Sequence, residues 1–258
     1  MRRIGFGLLL CVFVTLGLGS AMGQDDQTTY LFAEYYSCDQ NREAFADILV
    51  EHILGPVYQK HVDEGNLQGW GWLGHRAGGE WRRVLFYSAN DLKKLMETRD
   101  EIVGEFQNEL AAEGHEFTSI CPDHDDLIWA SVAGPPIASQ LENMGAKTYS
   151  TYYICDVSRQ ERADEIVKEL LAPAINELME AGELNSWGWY EHVIGGRFRR
   201  LMTHSGMDHV TLMEAVDKYN QAAGEANEAM SNEFSEICNG HVDYLWDRVL
   251  PKPAEGND

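Results

Sequence analysis

The stretch "GWGWLGH" at residues 69–75 returns as "SWGWYEH" at residues 186–192. Two tryptophans around a glycine, with a histidine three residues on, suit an aromatic ligand site. They suit a well-packed strand equally. The offset between the two stretches decides the matter. Shifted by 117 residues, Tyr35-Tyr36-x-Cys38-Asp39 falls on Tyr152-Tyr153-x-Cys155-Asp156, Pro56 on Pro173, and Gly65 on Gly182. Gly78-Gly79 falls on Gly195-Gly196, and Arg82-Arg83 on Arg199-Arg200. Cys121, His124, Asp126 and Trp129 fall on Cys238, His241, Asp243 and Trp246. Over residues 30–132 there are 35 identities in 103 positions without a gap, so one unit is written twice. Trp-Gly-Trp is therefore first a mark of duplication, and its tryptophans read as core strand residues.

Each unit reads as strand, helix, hairpin, helix, strand. "TTYLFAEYYSC" (28–38) is aromatic and β-rich, hence a strand. Residues 41–64 carry Phe45, Ile48, Leu49, Ile53, Val57 and Val62 at helical spacing. Pro56 should kink or restart that helix, Asp39 and Asp156 suit its N-terminal cap, and Gly65 ends it. "LQGWGWLGH" and "WRRVLFYS" flank "RAGGE", a hairpin with a Gly-Gly turn. A second helix covers roughly residues 90–113, and "DLIWASV" and "DYLWDRV" are closing strands. The units span 28–132 and 148–250. Residues 133–147, with Gly134-Pro135-Pro136, read as a linker, and 251–258 as a tail.

The order βαββαβ is the ferredoxin-like, split βαβ unit of an α+β protein. With its kinked first helix ending in Gly and its Trp-Gly-Trp strand, the chain resembles the dimeric α/β-barrel superfamily. Antibiotic-monooxygenase-like, NIPSNAP-like and YciI-like branches fit without distinction. The resemblance implies that the two tandem units pair their sheets into an intramolecular barrel. It implies no single activity, because such folds carry oxygenases, isomerases, haem-dependent enzymes and proteins without a known reaction.

Arg2 and Arg3, an apolar run from Ile4 to Leu18, and small residues after it have the order of a secretory signal over residues 1–23. An uncleaved anchor is the rival reading. The net charge is −22, and losing Arg2 and Arg3 with the signal makes it −24. Such a balance disfavours nucleic acid and anionic membrane surfaces as partners. The expectation is an exported protein, periplasmic or extracellular, monomeric or weakly self-associating, without stable membrane insertion.

Cys11 leaves with the signal, and four cysteines remain as two equivalent pairs. In a ferredoxin-like sheet the first and last strands are antiparallel neighbours. Cys38 ends the first and Cys121 precedes the last. In an oxidising compartment this favours disulfides Cys38–Cys121 and Cys155–Cys238. A transition metal is the alternative. "CPDHDD" and "CNGHVD" offer Cys38, Cys121, His124 and Asp126, or Cys155, Cys238, His241 and Asp243, as ligand sets.

Pairing the hairpin about Gly78 places Trp70, Trp72, Val84 and Phe86 on one face. His75, Trp81, Arg83, Leu85 and Tyr87 fall on the other, which would line the barrel with His192, Arg200 and His204 from the second unit. In the functional reading, Arg83 and Arg200 hold a carboxylate or enolate, with Tyr87 and His204 beside it, and His75 or His192 moves a proton. In the bland reading, these are turn residues bonded to acidic neighbours. No cofactor motif is evident, although one inward histidine would suffice for haem. Three functions stay open: binding of a small aromatic or apolar acid in the barrel, a cofactor-independent oxygenase or isomerase, or a structural protein with a filled barrel.

Overall fold

The structure is a computed structural model and describes residues 28–252 apart from residue 109. The expected signal segment and most of the tail lie outside the described residues. The first unit contains β1 (Tyr30–Ser37), α1 (Glu43–Leu49), α2 (Gly55–Asp63), β2 (Gly69–Gly78), β3 (Arg83–Ala89), α3 (Leu92–Asn108), α4 (Ala111–Ile120) and β4 (Asp123–Ala133). After α5 (Ile137–Glu142) the second unit repeats the order. It contains β5 (Lys147–Ile154), α6 (Gln160–Ile166), α7 (Ala172–Glu180), β6 (Ser186–Ile194), β7 (Arg200–Gly206), α8 (His209–Ala226), α9 (Glu228–Ile237) and β8 (Gly240–Leu250).

All eight strands close into one antiparallel barrel in the order β1-β3-β2-β8-β5-β7-β6-β4. The two units join edge to edge through β2 with β8 and β4 with β6. Among the described residues, no edge of this sheet is left for a second chain to pair with. Strand alternation divides the molecule. Leu31, Ala33 and Tyr35 of β1 face the lumen, whereas Phe32 and Tyr36 pack under the helices.

Pro56 stands in the first turn of α2, where the helix restarts. Between α1 and α2 runs a π-helical turn, Val50–Leu54, and Val167–Leu171 repeats it before Pro173. The wider turn absorbs the hydrogen bond that proline cannot donate. The second helix is longer than its periodicity implied. It breaks and continues as α4, and in the second unit as α9, whose Asn227 caps it by accepting from the Met230 amide. The linker is not idle either. Its helix α5 buries Ile137 and Gln140 at one end of the barrel. Gln140 donates to the Pro135 carbonyl at 2.7 Å and accepts from the Tyr190 hydroxyl at 2.6 Å.

Two disulfides, Cys38–Cys121 and Cys155–Cys238, tie the end of each unit's first strand to the start of its last. Their sulfurs are not available as thiolates, and no group of three or more ligating side chains among the described residues is arranged to hold a metal ion. The Cys-His-Asp metal sets are corrected accordingly.

Candidate functional site

The hairpin register settles where the expected residues point. Trp70 pairs with Tyr87, Trp72 with Leu85, and Gly74 with Arg83. This is one residue away from pairing about Gly78, and it reverses the faces of β3. Trp70 and Trp72 do face the helices. The Trp72 indole donates to Asp47 at 2.7 Å and the Trp70 indole to Gln59 at 3.1 Å. Trp189 and Trp187 repeat this with Asp164 and Asn176. The glycine between them points into the lumen, where a Cβ on Gly71 would come within 2.4 Å of the Phe86 ring.

Arg83, Tyr87 and Arg200 lie on the helix face, not in the barrel. Arg83 pairs with Asp47 through two bonds of 2.7 and 2.9 Å, and with Glu43 at 3.1 Å. Arg200 pairs with Asp164 at 2.7 Å. Both guanidiniums are committed to holding α1 or α6 on the sheet. His204 also packs outward, stacked on Tyr219 of α8 at 5.1 Å between ring centroids.

His75 and His192 do not converge on a shared site. His75 Nε2 donates to the Gly78 carbonyl at 2.7 Å, and its Nδ1 accepts from Arg82 at 2.8 Å. His192 Nε2 makes the same turn contact with Gly195 at 2.6 Å. Each staples its own hairpin. Gly78 needs its positive φ of 94° there, and a Cβ on it would sit 1.9 Å from the Asp243 carbonyl oxygen. Both ring nitrogens of His75 are thus engaged and neither is offered to a haem iron, and the Nε2 of His192 is likewise taken by its turn. His124 and His241 lie 3.3 Å from Asp126 and Asp243 at the helix-side rim.

The lumen is filled with aromatic side chains. Trp81 stacks on Tyr35 at 4.2 Å and on Tyr244 at 5.1 Å, with Tyr152 and Phe198 edge-on. A cavity of about 80 Å³ remains beneath α5. The larger spaces are elsewhere, between the sheet and the helices. The first unit has one of about 540 Å³ and the second one of about 340 Å³.

The first unit's cavity has mainly apolar walls, among them Val50, Leu54, Trp72, Leu85 and Phe117. On its floor, in the middle of β1, is Glu34. Cross-strand neighbours are Leu85 on β3 and Asp126 on β4. Glu34 is half-buried and lines the cavity. The Tyr36 hydroxyl donates to one carboxyl oxygen, and the Tyr87 hydroxyl is 3.4 Å from the other. Burial pushes the Glu34 carboxyl up. The Tyr36 hydrogen bond opposes this, Asp126 adds to it, and Arg99 and His124 oppose it. Arg99 enters from α3. Its guanidinium lies over the Phe32 ring at 4.9 Å and 3.6 Å from Asp126, while its buried Nε has no hydrogen-bond partner among the described residues. In the second unit the positions of Glu34 and Arg99 hold Thr151 and Val216.

Glu34 and Arg99 escape a comparison of the two copies, because that comparison selects what the copies share. A signal was present nonetheless. Glu34 is the one charged residue in "TTYLFAEYYSC", and a charge in the middle of an apolar strand has to be accounted for.

The barrel and its helical cover define an α+β protein with the dimeric α/β-barrel fold, both halves of which lie in one chain. Among solved structures, the chain is similar to a protein designated a monooxygenase from Lactobacillus acidophilus NCFM. The TM-score is 0.56 at 9% identity, over 88% of this chain and 96% of that one. It is similar to an anthrone oxidase-like protein, with a TM-score of 0.53 at 11% identity over 87% and 92% of the two chains. A chlorite dismutase mutant from Candidatus Nitrospira defluvii, in complex with cyanide, matches at 0.51 and 10% identity over 85% and 90%. At such identities the likeness is one of fold. No protein-family model matches the sequence. No curated protein matches it significantly either.

Proposed function

We propose that the protein is an exported small-molecule-binding protein whose site is the helix–sheet cavity of the first unit. The occupant is a small, mostly apolar compound with one polar group, held between Glu34 and Arg99. One observation carries this reading: the cavity of about 540 Å³ brings a half-buried carboxyl and a guanidinium-bearing side chain together among mainly apolar walls. Large apolar pockets with a few convergent polar groups are the usual form of ligand sites. The lumen, at about 80 Å³, is smaller than the roughly 150 Å³ cavity that admits benzene. The aromatic acid expected in the barrel has no room there. Export accords with the two disulfides, and no helix among the described residues is long and apolar enough to cross a membrane.

Native mass spectrometry of protein recovered from its own exported fraction tests the reading. The expected result is a bound small molecule that is lost in Val103→Trp, which fills the first cavity. It is retained in Asn220→Trp, the same position in the second unit. Loss in Asn220→Trp alone, or no bound molecule in the unmodified protein, overturns the reading.

A further inference from the structure

The duplication supplies an internal control for the first cavity. Both units fold the same way around the same frame: Tyr36 and Tyr153, Trp72 and Trp189, Phe117 and Phe234, Asp126 and Asp243 are identical pairs. At Glu34 and Arg99 the second unit has Thr151 and Val216, and its sheet and helices still form. Neither charged residue is therefore a requirement of the architecture. Burying a carboxyl costs free energy, and the second unit shows that the fold does not require that cost.

The two groups are chemically complementary. One oxygen of Glu34 accepts the Tyr36 hydroxyl, which fixes the carboxyl on the floor. The other has only the Tyr87 hydroxyl at 3.4 Å and is the oxygen able to take a proton. The guanidinium-bearing side chain of Arg99 lines the same space, 3.6 Å from Asp126. A buried base beside a fixed cation in an apolar cavity is suited to removing a proton from carbon and steadying the resulting oxyanion.

Resting on the binding reading above, we propose that the first cavity is a proton-transfer site for enolisable apolar carbonyl compounds. Glu34 takes the proton from the carbon beside the carbonyl. The C–H electron pair moves into the new C=C bond, the carbonyl π pair moves onto oxygen, and the Arg99 guanidinium binds that oxygen. Return of the proton to the same carbon gives exchange. Return to the far carbon of a conjugated system gives a 1,3-shift. No oxidant or reductant is consumed. Burial assists by raising the Glu34 carboxyl from its ordinary value, against Tyr36, Arg99 and His124 and in concert with Asp126; Tyr58 and Tyr87 also face it, and His115 of α4 lines the same cavity.

The probe is 2-tetralone in D₂O. Ligand-observed NMR reports its binding, and loss of the C1 proton signal reports exchange. The unmodified protein should bind 2-tetralone and exchange its C1 protons about 100-fold faster than Glu34→Gln, the scale of a positioned general base. Exchange is compared at saturating 2-tetralone, so that weaker binding by Glu34→Gln is not read as lost proton transfer. Glu34→Thr and Arg99→Val install residues the second unit already tolerates, so they guard against a folding artefact. Glu34→Thr should also abolish exchange, and Arg99→Val should slow it about 100-fold. Equal exchange by the unmodified protein and both Glu34 variants overturns the proton-transfer proposal and leaves the binding reading intact. Absence of 2-tetralone binding by the unmodified protein overturns the binding reading itself, and the proposal with it.

Discussion

A carboxyl enclosed beneath helices ionises at the expense of its solvation, and Glu34 makes that cost readable. Its folded-state pKa lies above the unfolded value, because burial outweighs the Tyr36, Arg99 and His124 contributions. Its stabilising contribution is therefore full below the unfolded pKa and is lost as pH rises through the folded one. Glu34→Gln should leave Tm unchanged at pH 4 and raise it at pH 8. Calorimetry at the two pH values checks this, and a lower Tm at pH 8 would mean that the ionised carboxylate is the stabilised form. His204 runs the other way. Both ring nitrogens are buried without partners, and burial pushes its pKa from 6.5 down to about 3. The unfolded chain takes the proton first, so stability is full above pH 6.5 and falls as pH drops toward 3. His204→Phe keeps the stacking on Tyr219 and removes two unmet nitrogens. It should add about 1–2 kcal/mol at neutral pH and move acid unfolding to lower pH, as followed by circular dichroism.

Within the hairpin, residues that sequence comparison marked as equally shared differ sharply in what they hold. Arg83 is 7% exposed and paired with Asp47, which also accepts the Trp72 indole. Arg83→Ala leaves that carboxylate buried without its cation and should cost about 3–5 kcal/mol in urea denaturation. His75 is half-buried at a turn, and His75→Ala should cost about 1 kcal/mol, with the first cavity's bound molecule retained. Periodicity fixed which residues share a face within β2, and it placed Trp70 and Trp72 correctly. It did not fix how β3 matches β2. Both faces of β3 are apolar and every residue of the strand is buried, so no hydrophobic pattern penalises a one-residue slip. The loop from 76 to 82 and the irregular pairing of β2 with β8 set the register, and neither is written in the alternation. The π-helical turn was foreshadowed by Pro56 and Pro173. Its form was not, since a kink and a wider turn both accommodate the missing N–H.

At the scale of the whole molecule, the boundary between the two units is not a boundary in the sheet. β2 pairs with β8 and β4 with β6 as continuous antiparallel ladders, and Tyr35 and Trp81 of the first unit pack against Tyr152, Phe198 and Tyr244 of the second. The linker helix α5 adds Ile137 and Gln140 to the same core. Neither unit can unfold without exposing the other's lumen face, so the barrel should melt as one cooperative unit, with calorimetric and van't Hoff enthalpies equal. The disulfides give a local handle on that global property. Each spans a sequence separation of 83 and, on the chain-entropy account, stabilises by about 4–5 kcal/mol. The double substitution Cys155→Ala/Cys238→Ala removes the constraint from the second unit alone. If the barrel is one cooperative unit, scanning calorimetry shows a single transition displaced downward by about 10 °C or more. If the units are independent, two transitions appear, with the first unit's left at its original temperature, and the barrel closure described above does not govern stability.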